Sequence, residues 1–134
     1  YGLKVQDLDE EPEYEEIPGD ECVLMPGNFC LATSVERIEV PNDLAGYIEG
    51  RSSIGRVGLF IQNAGYFDPG FRGQATLELY NASPNPLRIK AGRRICQFVF
   101  IQLTSPSENP YHGKYLDQEG ATGSRIHQDR EVSG

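Results

Sequence analysis

The chain has 134 residues, the size of one domain with one modest core. Its formal net charge is -8, whereas proteins that bind DNA or RNA polymers usually present a basic face, so no nucleic acid polymer is expected as a partner. No apolar run approaches the length that spans a bilayer, and no signal peptide is visible. We therefore expect a cytoplasmic protein that has no membrane partner.

The three cysteines, Cys22, Cys30 and Cys96, are odd in number and form no CxxC pair. Each has apolar neighbours in the sequence. This pattern predicts buried free thiols in a reducing compartment, not a disulfide framework or a metal site.

The chain begins with a predicted strand and an acidic loop. Residues 1–5 alternate like a strand and start without a Met, so we expect that an N-terminal segment is missing. Residues 7–21 are strongly acidic and contain Pro12, Pro18 and Gly19. This composition predicts an exposed loop without a binding role.

From residue 22 onward, short strand-like segments alternate with turns such as Pro26-Gly27-Asn28. At most one helical turn is expected, near residues 52–57, and residues 107–134 read as a polar, Gly-rich tail with little core of its own. The composition predicts an all-β sandwich or barrel. The predicted strands cover residues 22–25, 29–35, 37–40, 44–49, 59–63, 74–81, 87–89 and 95–103.

Residues 51–56 are the most informative stretch, because two arginines and two serines fall within six positions. Guanidinium groups and serine hydroxyls suit phosphate oxygens, and a turn can offer backbone N–H groups to an anion. A capped turn with solvated arginines explains the same residues nearly as well.

Two carboxylates also stand out, although each has a simple structural explanation. Asp68 precedes Pro69-Gly70, which is a strong turn signal. Glu78 lies on the strand face opposite to Leu77, where it could simply face solvent.

Taken together, these segments resemble the dUTPase superfamily. Glu78 makes the sequence similar to the dCTP deaminase family in particular, because dUTPases usually carry an apolar residue at this position. The tail is similar to the C-terminal segment that closes over the nucleotide in that family. The resemblance runs from about residue 23 to residue 126. It rests on Arg51-Ser52-Ser53-x-x-Arg56, Asp68-Pro69-Gly70-Phe71-x-Gly73, Thr76-Leu77-Glu78 followed by Asn81, and in the tail Tyr111, Gly113-Lys114-Tyr115, Gln118, Gly120 and Ser124-Arg125.

The resemblance implies a dUTPase-like β-sandwich or distorted barrel of the β-clip type, which assembles as a homotrimer. It divides the chain into a core over residues 1–106, with the family's N-terminal segment missing, and a nucleotide-closing tail over residues 107–134. It further implies zinc-independent deamination of dCTP to dUTP, Mg²⁺ carried by the triphosphate, and feedback inhibition by dTTP.

In that family, Glu78 would take a proton from the attacking water and pass protons to the ring and the leaving amine. Ser52 would hold the water together with a backbone carbonyl near Ala64, and Arg56 from a neighbouring subunit would orient Glu78. Asp68 would meet the sugar 3'-hydroxyl. The resemblance also places Thr76 and Leu77 beside the base, Arg51, Ser53, Tyr111, Lys114 and Gln118 on the triphosphate, and Ile54, Gly55 and Gln97 in the same substrate site.

Two further observations refine the expected reaction. Zinc deaminases carry HxE and PCxxC motifs, and this sequence contains neither. Both of its histidines, His112 and His127, lie in the tail. Some members of the family go on to hydrolyse dUTP to dUMP and pyrophosphate. This chain resembles those members at three places, namely the pair Gly65-Tyr66, Gly55 and Gln97. In this interpretation Asp68 also helps to activate the second water.

One loop departs from the family pattern. Gln62-Asn63 stands where deaminases usually carry a His and a Thr-Ala pair, and the loop is one residue shorter. A plain dUTP diphosphatase therefore remains an alternative. A second alternative, from another class, is a non-catalytic dUTPase-like nucleotide-binding regulator.

Overall fold

The computed structural model describes residues 5–62 and 65–129, and within them nearly all of the regular secondary structure is β-strand. The prediction of an all-β fold is confirmed. Of the strand predicted over residues 1–5, only Val5 is described, and it lies in no strand. The elements are β1 Glu21–Leu24, β2 Phe29–Glu39, β3 Leu44–Gly50, α1 Ser52–Gly55, β4 Leu59–Gln62, β5 Tyr66–Phe67, β6 Arg72–Asn81, β7 Leu87–Lys90, β8 Cys96–Gln102 and a 3₁₀ turn at Ile126–Gln128.

The strands form three small antiparallel sheets, with the orders β2-β6-β4, β5-β3-β8 and β1-β7. Buried residues from all three sheets share one hydrophobic core. The core is lined by Leu24, Val40, Leu59, Phe67, Phe71, Ala75, Leu77, Leu79 and Ile95. This arrangement is that of a sandwich whose sheets each turn one apolar face inward.

Strand β2 is continuous, although the sequence predicts two separate strands there. Its register against β6 shifts between Thr33 and Arg37. The Ser34 hydroxyl stabilises this bulge, because it donates to the carbonyl of Glu36 (2.7 Å) and accepts from the N–H of Ala75 (2.9 Å). The bulge breaks the apolar–polar alternation, and the sequence pattern therefore loses the strand at this point.

The C-terminal tail is anchored more firmly than its composition predicts. Tyr111 and Tyr115 pack against the core, and the Tyr111 ring lies 5.8 Å from that of Phe71. Gln118 is buried. These tail residues pack on the main core, and the prediction that the tail has little core of its own stays a prediction.

The three cysteines are free thiols, as predicted, but they are half-buried and not fully buried. Burial and, to a smaller degree, neighbouring Cys22 together raise the pKa of the Cys30 thiol to about 11. Burial also raises the pKa of Cys96.

Candidate active site

Glu78 lies on β6, the central strand of the β2-β6-β4 sheet. The alternation along this strand buries Ala75, Leu77 and Leu79 in the core and leaves Thr76 and Glu78 half-buried on the other face. Leu31 of β2 and Gln62 of β4 are the cross-strand partners of Glu78. Because it is paired on both sides, β6 holds the carboxylate on a rigid support.

Asp68 is held by a tight turn that follows β5. The turn has Pro69 at its second position and Gly70 at its third, with a φ of +93° at Gly70 and an N–H bond from Phe71 to the carbonyl of Asp68 (3.1 Å). Proline and then a residue of positive φ are typical of a type II turn. The Gly70 N–H also donates to the carbonyl of Val40 (2.8 Å), so the turn is fixed to the end of β2.

The two carboxylates line one cavity of about 440 Å³. Glu78 and Thr76 of β6 and Asp68 of the turn meet there with residues of the tail. The remaining walls are largely aromatic, since they include Phe29, Tyr66, Phe67, Phe71, Tyr111 and Tyr115. A concave, mostly apolar space with a few polar groups is the usual form of a small-molecule site.

The tail reaches this cavity because Gln118 fastens it to β6. The Gln118 side chain donates to the carbonyl of Gln74 (2.7 Å), and the Gln118 carbonyl accepts from the N–H of Gln74 (2.9 Å). Further along, the N–H of Thr122 donates to the Oγ1 of Thr76 (3.0 Å). The tail therefore runs beside residues 74–76 of β6, and its contact with Thr76 is two residues before Glu78.

An ion-pair cluster supports the same attachment. The Asp117 carboxylate accepts from the guanidinium groups of Arg72 (2.8 Å) and Arg37 (2.8 Å). The hydrogen bond from Arg72 is the main cause of a lowered pKa at Asp117. All three side chains are about half exposed, so solvent screening keeps the contribution of these pairs to stability small.

The structure brings together five of the residues that the sequence assigns to the site. These are Asp68, Thr76, Glu78, Tyr111 and Gln118, which all line the cavity. Leu77 lies in the core, on the opposite face of β6. Ala64, whose backbone carbonyl is expected at the water site, lies outside the described residues.

The arginine and serine segment lies at a distance from Glu78 within one chain. The carbonyl of Gly58, just after this segment, accepts from the N–H of Ala82 (2.8 Å), which directly follows β6 and is four residues beyond Glu78. Four residues span about 13 Å along a strand. In the described part of the chain, no cation forms a salt bridge with Glu78. Residues that do not line the cavity are Arg51, Ser52, Ser53, Ile54, Gly55, Arg56 and Gln97.

Lys114 is also directed elsewhere. Its ammonium group contacts both carboxylate oxygens of Asp129, at 2.6 and 2.8 Å, and this hydrogen bond raises the pKa of Lys114. The Arg125 guanidinium donates to the backbone carbonyl of Lys114. These contacts join Lys114 to Arg125 and Asp129 within the tail.

Comparison with known families shows to which family the chain belongs. A family model described as dCTP deaminase-like matches residues 2–103. The chain belongs to the dCTP deaminase-like family. Its architecture is the dUTPase-like fold, which is all-β.

Relatives and solved structures agree with the family. The chain is 47% identical to "dCTP deaminase, dUMP-forming" of Persephonella marina, over 96% of this chain and 73% of that protein. It is 53% identical to the protein of the same name from Aquifex aeolicus, over 81% of this chain and 61% of that protein. The chain thus spans between about three fifths and three quarters of the length of these relatives.

Among solved structures, the 2'-deoxycytidine 5'-triphosphate deaminase from Agrobacterium tumefaciens aligns with a TM-score of 0.62 and 25% identity, over 69% of this chain and 29% of that chain. The EIAV dUTPase aligns with a TM-score of 0.57 and 23% identity, over 71% of this chain and 78% of that chain. The second likeness shows the fold alone.

Several cavity residues of this family member escape the sequence analysis. Leu31 could have been found from its strand pairing with Glu78, once the register is known. Tyr14 and Thr122 lie in irregular segments that carry no pattern signal, yet they line the same cavity. Ser124 also lines it, although the tail motif names this residue without giving it a role.

Two further findings concern the whole described chain. Within residues 5–62 and 65–129, no group of three or more His, Cys, Asp or Glu side chains is arranged to hold a metal ion. In the same residues, none of the helices has the length and the apolar character to cross a membrane.

Proposed function

We propose that this chain deaminates dCTP to dUTP and then hydrolyses dUTP to dUMP and pyrophosphate. The observation that carries the proposal is that Glu78 and Asp68 line one cavity in a member of the dCTP deaminase-like family. Its relatives at 47% and 53% identity are named dCTP deaminase, dUMP-forming, which favours this function over a plain dUTP diphosphatase or a non-catalytic regulator.

In the first reaction, Glu78 acts as general base and then as general acid. It takes a proton from the water that adds to C4 of cytosine and delivers a proton to the ring nitrogen. After a further proton transfer to the amine, the C4–N bond breaks and ammonia leaves, which balances dCTP and water against dUTP and ammonia. One carboxylate on a rigid strand can serve each of these transfers.

In the second reaction, a water attacks the α-phosphorus of dUTP and releases pyrophosphate. Asp68 is exposed at the rim of the cavity. It helps to activate this water and contacts the sugar 3'-hydroxyl. Mg²⁺ enters as part of the substrate, where it neutralises the triphosphate, and dTTP would occupy the same site as an inhibitor.

The remaining groups come from a neighbouring subunit of a homotrimer. Within one chain α1 lies next to Ala82 and not beside Glu78, and Glu78 has no ion-pair partner in the described part of the chain. A second copy that presents its Arg56 would orient Glu78, and its Ser52 would hold the attacking water. Arg51, Ser53, Ile54, Gly55 and Gln97 complete the substrate site in the same proposal.

The tail contributes the other phosphate contacts. Tyr111 and Gln118 already line the cavity. Lys114 is paired with Asp129, so it must exchange this carboxylate for a phosphate when the nucleotide binds. Gln118 is buried and bonded to Gln74, and it therefore acts mainly by holding the tail in place.

The test is to incubate the purified protein with dCTP and Mg²⁺ and to resolve dUTP, dUMP, pyrophosphate and ammonia. We expect ammonia, dUMP and pyrophosphate in equal amounts, at a rate that a zinc-selective chelator leaves unchanged. Hydrolysis of added dUTP without ammonia from dCTP would show a plain dUTP diphosphatase. Binding of nucleotides without turnover would show a regulator.

A further inference from the structure

Tyr14 lies in the acidic segment that the sequence predicts to have no binding role. The segment over residues 7–20 forms no strand or helix. Even so, the Tyr14 side chain lines the cavity that contains Glu78, while 53% of the residue remains exposed. An irregular segment more than 60 residues before Glu78 in the sequence thus forms one wall of the candidate active site.

The ring of Tyr14 contacts the tail at a glycine. A Cβ added at Gly123 would lie 2.6 Å from Cε2 and 3.1 Å from Cδ2 of Tyr14. The next residue, Ser124, donates its backbone N–H to the Tyr14 hydroxyl at 3.2 Å. The tail can pass this close to the Tyr14 ring because residue 123 has no side chain. The Tyr14 hydroxyl then accepts a hydrogen bond from the backbone N–H of Ser124.

The same stretch of tail is held from the other side by β6. Thr122 donates its N–H to the Oγ1 of Thr76, which lies on the same strand face as Glu78 and two residues before it. Residues 122–124 therefore run from the strand that carries the carboxylate to the ring of Tyr14. The cavity that contains Glu78 is lined by all four residues of this contact, Tyr14, Thr76, Thr122 and Ser124.

We propose that Tyr14 is a positioning residue that holds tail residues 122–124 over the cavity of Glu78. Direct binding of the triphosphate by this segment is disfavoured, because Glu13 and Glu15 flank Tyr14 and would repel phosphate. Tyr14 acts instead through the tail, whose closure orients the nucleotide and excludes water. The kinetic part of this inference rests on the proposed function, whereas the tail contact itself does not.

Hydrogen–deuterium exchange on the nucleotide-free protein tests the contact directly. Tyr14→Phe removes the bond to the Ser124 N–H and keeps the ring, whereas Tyr14→Ala removes both. We expect faster exchange over residues 122–124 in both variants, with the larger change in Tyr14→Ala, and no change in the neighbouring control Glu13→Gln. Exchange at these amides that equals wild type in Tyr14→Ala would overturn the inference.

A pair of substitutions gives the kinetic test. Loss of one neutral hydrogen bond in Tyr14→Phe should raise KM about 2- to 10-fold and change kcat less. Gly123→Ala should also raise KM, because its methyl group meets the ring. In the Tyr14→Ala background the ring is gone, so Gly123→Ala should add little, and the two effects should be far from additive.

Full additivity of the two substitutions would overturn the inference, since residues that do not touch contribute independently. A wild-type protein that turns over no nucleotide would instead defeat the proposed function. The exchange measurement would still decide on Tyr14, because it needs neither substrate nor activity.

Discussion

At the scale of single residues, the environment of a side chain decides its chemistry more than its place in the sequence does. Nothing in the sequence sets Cys30 and Cys96 apart from other cysteines, yet burial raises the pKa of both thiols. Asp117, in contrast, is exposed beside Arg72 and Arg37, and the pKa of its carboxyl is lowered. The Asp117 pairs should therefore persist at neutral pH and be lost only in acid below the ordinary carboxyl range.

Cys30 supports a prediction about pH. Since the thiolate is the reactive form and burial raises the pKa of Cys30 to about 11, alkylation of Cys30 in the folded protein should keep accelerating up to about pH 11. In the unfolded chain the rate should level off near the ordinary value of 9.0. The folded state binds this proton more tightly, so a rise in pH from about 9 to about 11 should also favour unfolding.

Labelling with iodoacetamide, followed by mass spectrometry of the Cys30 peptide over a series of pH values, measures this difference. Urea-unfolded protein is the control. A midpoint near pH 9 in the folded protein would show that the Cys30 thiol is more accessible to water than the fold indicates.

At the scale of elements, one glycine of β6 permits the attachment of the tail. Gly73 has a φ of +139°, and a Cβ there would lie 2.7 Å from the carbonyl oxygen and 2.8 Å from the nitrogen of Gln118. A side chain at this position would be strained and would also push the tail away. The close approach of two backbones explains why a strand interior contains a glycine here.

Gly73→Ala should loosen the tail and weaken substrate binding. Backbone strain of this kind costs about 1–3 kcal/mol, and we expect faster hydrogen–deuterium exchange over residues 117–120 together with a raised KM. The matched control is Gly27→Ala, because Gly27 has a φ of +77° but no atom within 4 Å of an added Cβ. Equal tail exchange in the two variants would show that strain alone, and not contact with Gln118, is responsible.

The sequence predicts most elements because their patterns are regular. Strand β6 alternates cleanly, and the single helical turn at Ser52–Gly55 follows from its small and polar residues. The pattern fails where structure departs from regularity: the bulge in β2 hides its continuity, and β5 is only two residues long. The 3₁₀ turn at Ile126–Gln128 also has no counterpart in the prediction.

The sequence predicts part of the candidate site, as it predicts part of the fold. Glu78 and Asp68 can be predicted because they fall within a resemblance to a known family. Tyr14 cannot, because its bond to Ser124 joins two irregular segments that are 110 residues apart in the sequence. A charge-rich composition correctly indicates an exposed segment, but it says nothing about one aromatic ring within it.

At the scale of the whole molecule, one face of the β2-β6-β4 sheet carries a row of exposed aromatic side chains. Phe29 and Phe60 both pair with Tyr80 across the strands. Their exposed fractions are 57%, 43% and 40% for Phe29, Phe60 and Tyr80. Such a row beside Glu78 fits the proposed homotrimer, in which a neighbouring copy covers apolar surface and completes the site.

Mixed trimers test whether two subunits share one site. Arg56→Ala and Glu78→Gln should each be nearly inactive alone. If Arg56 acts on the Glu78 of a neighbouring subunit, chains that are unfolded together and refolded at equal amounts should regain activity in roughly a quarter of the sites. Light scattering on the same samples checks the trimer mass, and no regained activity in intact trimers would place both residues in one subunit's site.

The central claim is that Glu78 transfers the protons of dCTP deamination, and the kinetics of Glu78→Gln test it most directly. Glutamine has nearly the same shape but cannot take a proton from water, so ammonia release should fall by at least about 10²- to 10⁴-fold. Nucleotide binding and thermal stability should stay close to wild type, and some hydrolysis of added dUTP should remain. Asp68→Asn is the matched comparison and should impair both reactions. Deamination by Glu78→Gln at a rate near wild type would contradict the account, because Glu78 would then be only a solvated residue on an exposed strand face.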